Sequence, residues 1–336
     1  MKSVHLVIPD LFLPKDFAAE VCADLRLPAL EKLLGKGSSA TLQAAPLEDL
    51  LCDLFGVPCQ AGAPMAPISA AFDGLAAGCW LRADPVHLHL RRDQLLMDGV
   101  RVDNGEAAAL CASLNTHFSG QGMEFFAPHP QRWYVRLDEL PQMRATPISQ
   151  VIGGDVRRAL PTGADSARWH RLFNEIQMLL FAHPLNEARE SRGEPPINSV
   201  WLWGGGSTAS GVLQQPCDDA SSDELLVEML AATAGVPFAP WSAQWSEQGC
   251  DGRQLLVWTG LRSALQRGDL SAWRTALQDF EISHAQPLWR ALRGGKLAQL
   301  QLDIPGVQGI RRVLLKRGDS WAFWRSARRL AEYSMV

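Results

Sequence analysis

Ser3-Val4-His5-Leu6-Val7-Ile8-Pro9-Asp10 is the stretch on which the fold turns. A short apolar run closed by Pro-Asp suits a buried strand with an acid at its carboxyl end. In open α/β sheets that end is where ligands bind. Outward from it, Leu27-Pro28-Ala29-Leu30-Glu31-Lys32-Leu33-Leu34-Gly35 reads as a helix, with Pro in its first turn and Gly as its stop. Residues 46–55 and 68–77 predict two more helices.

The texture changes near residue 80. Val86-His87-Leu88-His89-Leu90-Arg91 alternates as a half-buried strand does, and residues 95–102 are expected to fold back through Asp98-Gly99, a strong hairpin signal. A helix over 106–118, capped by Asp103 or Asn104, and strands over 123–127 and 132–137 complete an α+β block. A long helix is expected over 165–182. Asn198-Ser199-Val200-Trp201-Leu202-Trp203 then reads as a strand that leaves its sheet at Gly204-Gly205-Gly206-Ser207, where an anion could approach the backbone. Beyond it, Ser221-Ser222-Asp223-Glu224 resembles a capping box opening a helix to Ala234. Strands over 254–259, 297–304 and 310–315 alternate with helices over 271–282, 285–292 and 320–333. The pattern predicts an α/β fold: a doubly wound, mostly parallel sheet formed by 1–80 and 196–336, with a smaller α+β domain, 81–195, inserted into it.

Composition bounds the class. The chain has 336 residues, 47% of them apolar and 20% charged, which is ordinary for a folded protein and far from disorder. Its first apolar run is too short for a signal-peptide core, and no apolar run approaches a membrane span, so the expected location is cytoplasmic. A formal net charge of -4 gives no general attraction to nucleic acid. One basic region stands out, with Arg311, Arg312, Lys316, Arg317, Arg325, Arg328 and Arg329 crowding the end of the chain. It is either a solvated helix face or a patch for phosphate or an acidic partner. Seven scattered cysteines without a Cys-x-x-Cys pair read as reduced, mostly buried thiols. Most of the 12 tryptophans sit at core-like spacings.

Common catalytic motifs are missing. The Gly204–Gly206 run lacks the Lys-Ser/Thr of a P-loop, and no nucleophile elbow is present. His87 and His89 share one strand face but have no third ligand at metal spacing. Arg132, Asn174, Gln177, His183, Asn186, Arg189 and Asn198 are polar residues in otherwise apolar surroundings. They are expected either to brace one another or to line a site in which Arg132 and Arg189 grip an anion.

The order of segments adds a resemblance. Asp10, Leu27-Pro28-Ala29-Leu30-Glu31-Lys32-Leu33, Leu54-Phe55-Gly56, Ala70 to Gly78, Asp84-Pro85-Val86, Arg132-Trp133-Tyr134-Val135 and Asn198 to Gly206 together resemble the archaeal-type cofactor-independent phosphoglycerate mutases of the alkaline phosphatase superfamily. Within these, the chain is similar to a proteobacterial phosphoglycerate-mutase-like group also described as RpfE-type regulatory proteins. The resemblance implies an active site with a Ser or Thr nucleophile and two metal ions. The departures are equally specific. Pro46 to Gly56 offers no Ser, Thr or His where the nucleophile is implied, and Thr259 to Asp269 has lost most of the implied ligands, leaving Asp10 and Asp303 as vestigial ones. Two carboxylates cannot fix two ions about 4 Å apart. The expectation is a degenerate site with no cofactor, retained to bind an anionic small molecule or a protein partner in a regulatory role. Two alternatives stand beside it. One is an active metal-dependent phosphotransferase using Asp49, Asp53, His87 or His183 with a divalent metal; the other is an interaction protein that presents a Trp-rich surface.

Overall fold

The computed structural model describes residues 2–59, 62–207, 213–247, 252–322 and 324–334. The chain divides into two compact units, one formed by Met1–Phe55 with Leu213–Val336 and the other by Gly56–Val212. The first opens with β1 (Ser3–Val7), α1 (Lys15–Val21), α2 (Pro28–Lys36), β2 (Ser38–Leu42) and α3 (Leu47–Leu54). The second contains α4 (Met65–Phe72), β3 (Cys79–Arg91), β4 (Gln94–Gly99), α5 (Asn104–His117), β5 (Met123–His129), β6 (Arg132–Leu137), α6 (Ser166–Phe181), α7 (Pro184–Ser191) and β7 (Ser199–Ser207). The chain then returns through β8 (Asp219–Ser222), α8 (Leu225–Ala234), β9 (Phe238–Pro240), β10 (Arg253–Val257), α9 (Arg262–Gln266), α10 (Leu270–Phe280), α11 (Gln286–Arg293), β11 (Gln299–Gly306), β12 (Gly309–Lys316) and α12 (Leu330–Tyr333).

In the first unit seven strands form one sheet in the order β2-β12-β11-β1-β10-β8-β9. It is mixed and mostly parallel, because β1, β8, β9, β10 and β11 run the same way and only β12 opposes β11 and β2. The β1 sequence explains its central place. Val4, Leu6 and Ile8 alternate into a core shared with α1, α2, α10 and α11, while α3 and α8 pack on each other outside that core. The start of α2 is fixed from far away. Buried Glu281 accepts the Ala29 and Leu30 backbone N–H groups at 2.8 and 2.9 Å, satisfying two donors that a helix start leaves open. Glu281 begins a five-residue π-helical stretch, Glu281–Ala285, that joins α10 to α11.

The second unit is an antiparallel sheet in the order β4-β3-β6-β5, with β7 also on β3. On one side α5 and α6 bury Leu110, Leu114, Ile176 and Leu180 against Val135, Val200 and Leu202. Helix α5 begins at Asn104, two residues before the expected start, and of the two expected caps Asp103 fills the role, forming a reciprocal capping box with Glu106.

Several expectations are corrected. The strand at 198–203 does not join β1; as β7 it pairs antiparallel with β3, Val200 opposite Pro85 and Leu202 opposite Ala83. The smaller unit is accordingly larger than 81–195, because β7 bonds to β3 and α4 lies on β7. The backbone does not leave the sheet at Gly204, since β7 runs through to Ser207. The glycines instead allow close packing. A Cβ on Gly204, whose φ is +65°, would lie 2.9 Å from that of Met65, and one on Gly206 would lie 2.7 Å from that of Pro64. The β3–β4 hairpin turns at Arg92, at φ +55°, and not at Asp98-Gly99. Glu224 is itself the cap of α8, and Ser221 and Ser222 end β8. The helix expected over 320–333 reduces to a 3-10 turn, Arg317–Trp321, and the short α12. Trp321 and Trp324 are exposed, unlike most of the other tryptophans.

Candidate functional site at the strand ends

Asp10 follows β1 at the carboxyl edge of the parallel strands, in the left-handed region at φ +63°, a conformation that costs a non-glycine residue about 1 kcal/mol. The Trp273 indole N–H donates to its carbonyl at 3.1 Å. A second strand end delivers two more acids. After β8, Asp223 accepts both the backbone N–H and the hydroxyl of Thr259, at 2.7 and 3.2 Å. Glu224 follows at once, its backbone N–H donating to Ser222 Oγ. Between these acids lies Arg262, at the start of α9, with Nε 3.4 Å from Asp10 Oδ2 and Nη1 3.4 Å from Glu224 Oε2.

The electrostatics favour that guanidinium. Burial raises the Glu224 carboxyl above the ordinary range, Arg262 opposes the rise, and Glu48 on α3 adds to it. Burial likewise raises Asp223, and the bonds from Thr259 lower it in part. Arg262 therefore compensates an acidic edge that would otherwise repel itself.

Asp303, the other retained acid, is fully buried on β11. Arg312 on β12 grips it with two bonds of 2.7 and 2.6 Å, and His5 Nε2 lies 2.8 Å away. Although burial alone would raise its carboxyl, Arg312 and His5 hold it down at about 2. The same bonds draw Arg312 out of the expected basic segment. Arg325 pairs with Asp319, and Arg311 stacks on the Tyr333 ring at 4.8 Å, so that segment does not form a single helix face.

Donor chemistry tests whether these residues fit the two metal ions that the resemblance implies. Asp10 and Glu224 share one guanidinium, and Asp303 is saturated by Arg312 and His5. Among the described residues no three His, Cys, Asp or Glu side chains form a group able to hold a metal ion. The residues do not fit a two-metal centre.

The other polar residues singled out from sequence lie in the second unit. Arg132 forms a fork onto Asp73 at 2.8 and 2.6 Å, and the Tyr134 hydroxyl donates to the same carboxylate. Arg189, 2% exposed, donates to Glu106 at 2.6 Å and to the Pro195 and Arg101 carbonyls. Asn186 bonds the Leu180 carbonyl and both backbone groups of Ile197, and Asn198 bonds both backbone groups of Leu88. His183 caps α7 and meets Ser113 Oγ at 3.0 Å. These five are engaged internally. Asn174 and Gln177, with exposed Met178 and Phe181, line an open hollow that Asn198 also borders. Gly204 and Gly205 line a small apolar cavity of about 110 Å³ beside Trp203 and Leu81, and Gly206 and Ser207 complete the strand. His87 and His89 stack at 5.3 Å, with His87 Nδ1 on the Pro196 carbonyl. Cys250 lies outside the described residues. Burial pushes the Cys111 and Cys217 thiols up to about 12, which leaves them unreactive.

Sequence reading missed Glu224 and Arg262 as site residues and placed Arg312 only in the basic region, without its link to Asp303. The available signal for Arg262 was a lone Arg three residues beyond Thr259, inside the segment read as having lost its ligands.

No family model matches the chain. It is 24% identical over 196 residues to the 2,3-bisphosphoglycerate-independent phosphoglycerate mutase of Methanosarcina mazei, covering 54% of this chain and 48% of that protein. It is 31% identical over 108 residues to 2,3-bisphosphoglycerate-independent phosphoglycerate mutase 2 of Methanothermobacter thermautotrophicus, covering 31% of this chain and 27% of that one. The matches thus span about half the length of these curated relatives or less. Among solved structures, the PH0037 protein from Pyrococcus horikoshii shares the fold, with a TM-score of 0.56 at 13% identity over 99% of this chain and 92% of its own. Among the described residues no helix is long and apolar enough to cross a membrane. The relatives of this chain, at low identity, are cofactor-independent phosphoglycerate mutases.

Proposed function

We propose that this chain is a phosphoglycerate-mutase-like protein that transfers no phosphoryl group and acts in regulation by binding a protein partner. One observation carries the reading: each retained acid is held by an arginine, Asp10 by Arg262 and Asp303 by Arg312. A guanidinium supplies positive charge but offers no open coordination position, so it can neither activate a water nor take a phosphoryl oxygen as ligand. Helix α3, where the resemblance implies a nucleophile, reads Leu47-Glu48-Asp49-Leu50-Leu51-Cys52-Asp53-Leu54 and carries no Ser or Thr.

A protein partner is better supported than an anion. Arg132 and Arg189, the expected anion grips, are spent on Asp73 and Glu106. Exposed Met178 and Phe181 around the α6 hollow suit a protein surface.

Interconversion of 2- and 3-phosphoglycerate, measured with added Mn²⁺, Co²⁺, Mg²⁺ or Zn²⁺, tests the reading directly. The expected rate is that of the blank, with no metal raising the Tm. Metal-dependent turnover that disappears in Asp10→Asn overturns the proposal.

A further inference from the structure

The two margins of the seven-stranded sheet are built in opposite ways. At one, β9 is three residues long and ends in Pro240, the short and proline-stopped edge that discourages further pairing. At the other, β2 reads Ser38-Ser39-Ala40-Thr41-Leu42, and all five residues are exposed. Among the described residues it is bonded along one side only, antiparallel to β12, in an unbroken register. No residue from Gly37 to Leu47 is charged.

The margins of the other sheet sharpen the contrast. Strand β5 contains Glu124 and Pro128, and its register shifts between Phe126 and His129. Strand β4 carries Asp98 and is bridged at Leu96 by Asp155. Charge, proline, irregularity and cover are the means by which edges are kept from recruiting another strand. Among the described residues strand β2 has none of them.

We propose that β2 pairs antiparallel with β2 of a second copy of this chain, so that the two seven-stranded sheets run on as one across a two-fold axis. A two-fold contact brings the same surface from both copies together, and an uncharged strand meets its own copy without like-charge repulsion. A partner selected by charge would find nothing on β2 to read. The exposed apolar groups lie where such pairing needs them. Leu42 is 37% exposed at one end of β2, and its register partner Ile310 lies just beyond the β11–β12 turn that carries Val307, 99% exposed. Antiparallel pairing sets this end of each copy against the Ser38 end of the other, so each Val307 turn extends the contact past the ladder. A five-residue ladder lies at the small end of specific interfaces, and the dimer is therefore expected to be weak and dependent on concentration.

Sedimentation velocity across about a hundredfold range of protein concentration reads the association. The full chain is expected to pass from monomer to dimer, and the backbone amides of 38–42 to exchange more slowly in the concentrated sample. Ser39→Lys with Thr41→Lys should remain monomeric throughout at unchanged circular dichroism, whereas the uncharged pair Ser39→Thr with Thr41→Val keeps the dimer. A monomer at every concentration overturns the proposal. So does a dimer that survives both lysines, or one whose amides at 38–42 exchange at the monomer's rate; the last readout needs no variant.

Discussion

The two retained acids sit on the same sheet and are treated differently. Asp303 is fully buried and gripped by Arg312 at 2.6 and 2.7 Å, with His5 completing its shell. Asp10 lies at the strand end, partly open, and meets Arg262 at 3.4 Å. Burial makes the first pair obligatory, because the Asp303 carboxylate left alone in the sheet would be unsolvated. Solvent screens the second pair, which can open without harm to the fold. One arginine is a structural member of the sheet, then, and the other stands at its accessible edge.

The largest effect that could break this contrast is in Asp303→Asn. Loss of the buried charge leaves Arg312 and His5 facing a neutral amide, and about 3 kcal/mol of stability should go, the low end for a broken buried pair because Arg312 is one-third exposed. Denaturant unfolding measures it; a loss below about 1 kcal/mol would erase the distinction between the two acids.

Acid unfolding gives a smaller effect with a defined direction. The carboxyl of Asp303 is depressed in the fold to about 2, so its contribution is fully present above the unfolded-state value near 4 and is lost as pH falls toward 2. His284 acts in a higher window. It is buried between Trp241 and Phe280, ring centroids 4.3 and 5.4 Å away, and burial lowers it to about 4. The folded state thus favours neutral His284, and the stability it gives, present above about 6.5, is lost between about 6.5 and 4. His284→Phe should flatten the stability profile between pH 6.5 and 4 while leaving the steeper fall below pH 4 in place. An unchanged upper limb would remove His284 from the account.

The smallest expected change is in Arg262→Ala, under about 1 kcal/mol, because the pair is long and partly solvated. If that variant instead unfolds as readily as Asp303→Asn, the two acids are equivalent and the strand-end arginine is structural after all.

Local signals carried much of the architecture. The apolar run closed by Pro9-Asp10 marked β1 as a buried strand, and Asp103 was one of the two caps expected for α5, because both depend on neighbours within a few residues. The placement of β7 was not legible, since its partner on β3 lies more than a hundred residues away and an apolar strand fits either sheet. Strand β2 was missed for a related reason: exposed on both faces, it shows no alternation of polarity. At the site, Asp10 was legible from its position after β1. Arg262 and Arg312 were not, because only strand order brings them to Asp10 and Asp303. Arg132 and Arg189 stood out in the sequence as polar residues in apolar segments, but sequence could not show that Asp73 and Glu106 already answer them.

The central position of β1 also bears on how the chain is born. Its two neighbours are Arg253–Val257 and Gln299–Gly306, and the acid that closes the start of α2 is Glu281. Gly56–Val212, by contrast, is a continuous stretch whose strands find all their partners within it. During synthesis that middle stretch can complete its sheet as it emerges, while β1 has no native neighbour until Gln299–Gly306 or Arg253–Val257, both made after that stretch, has emerged. Strand β1, made before the middle stretch, is thus locked in place after it.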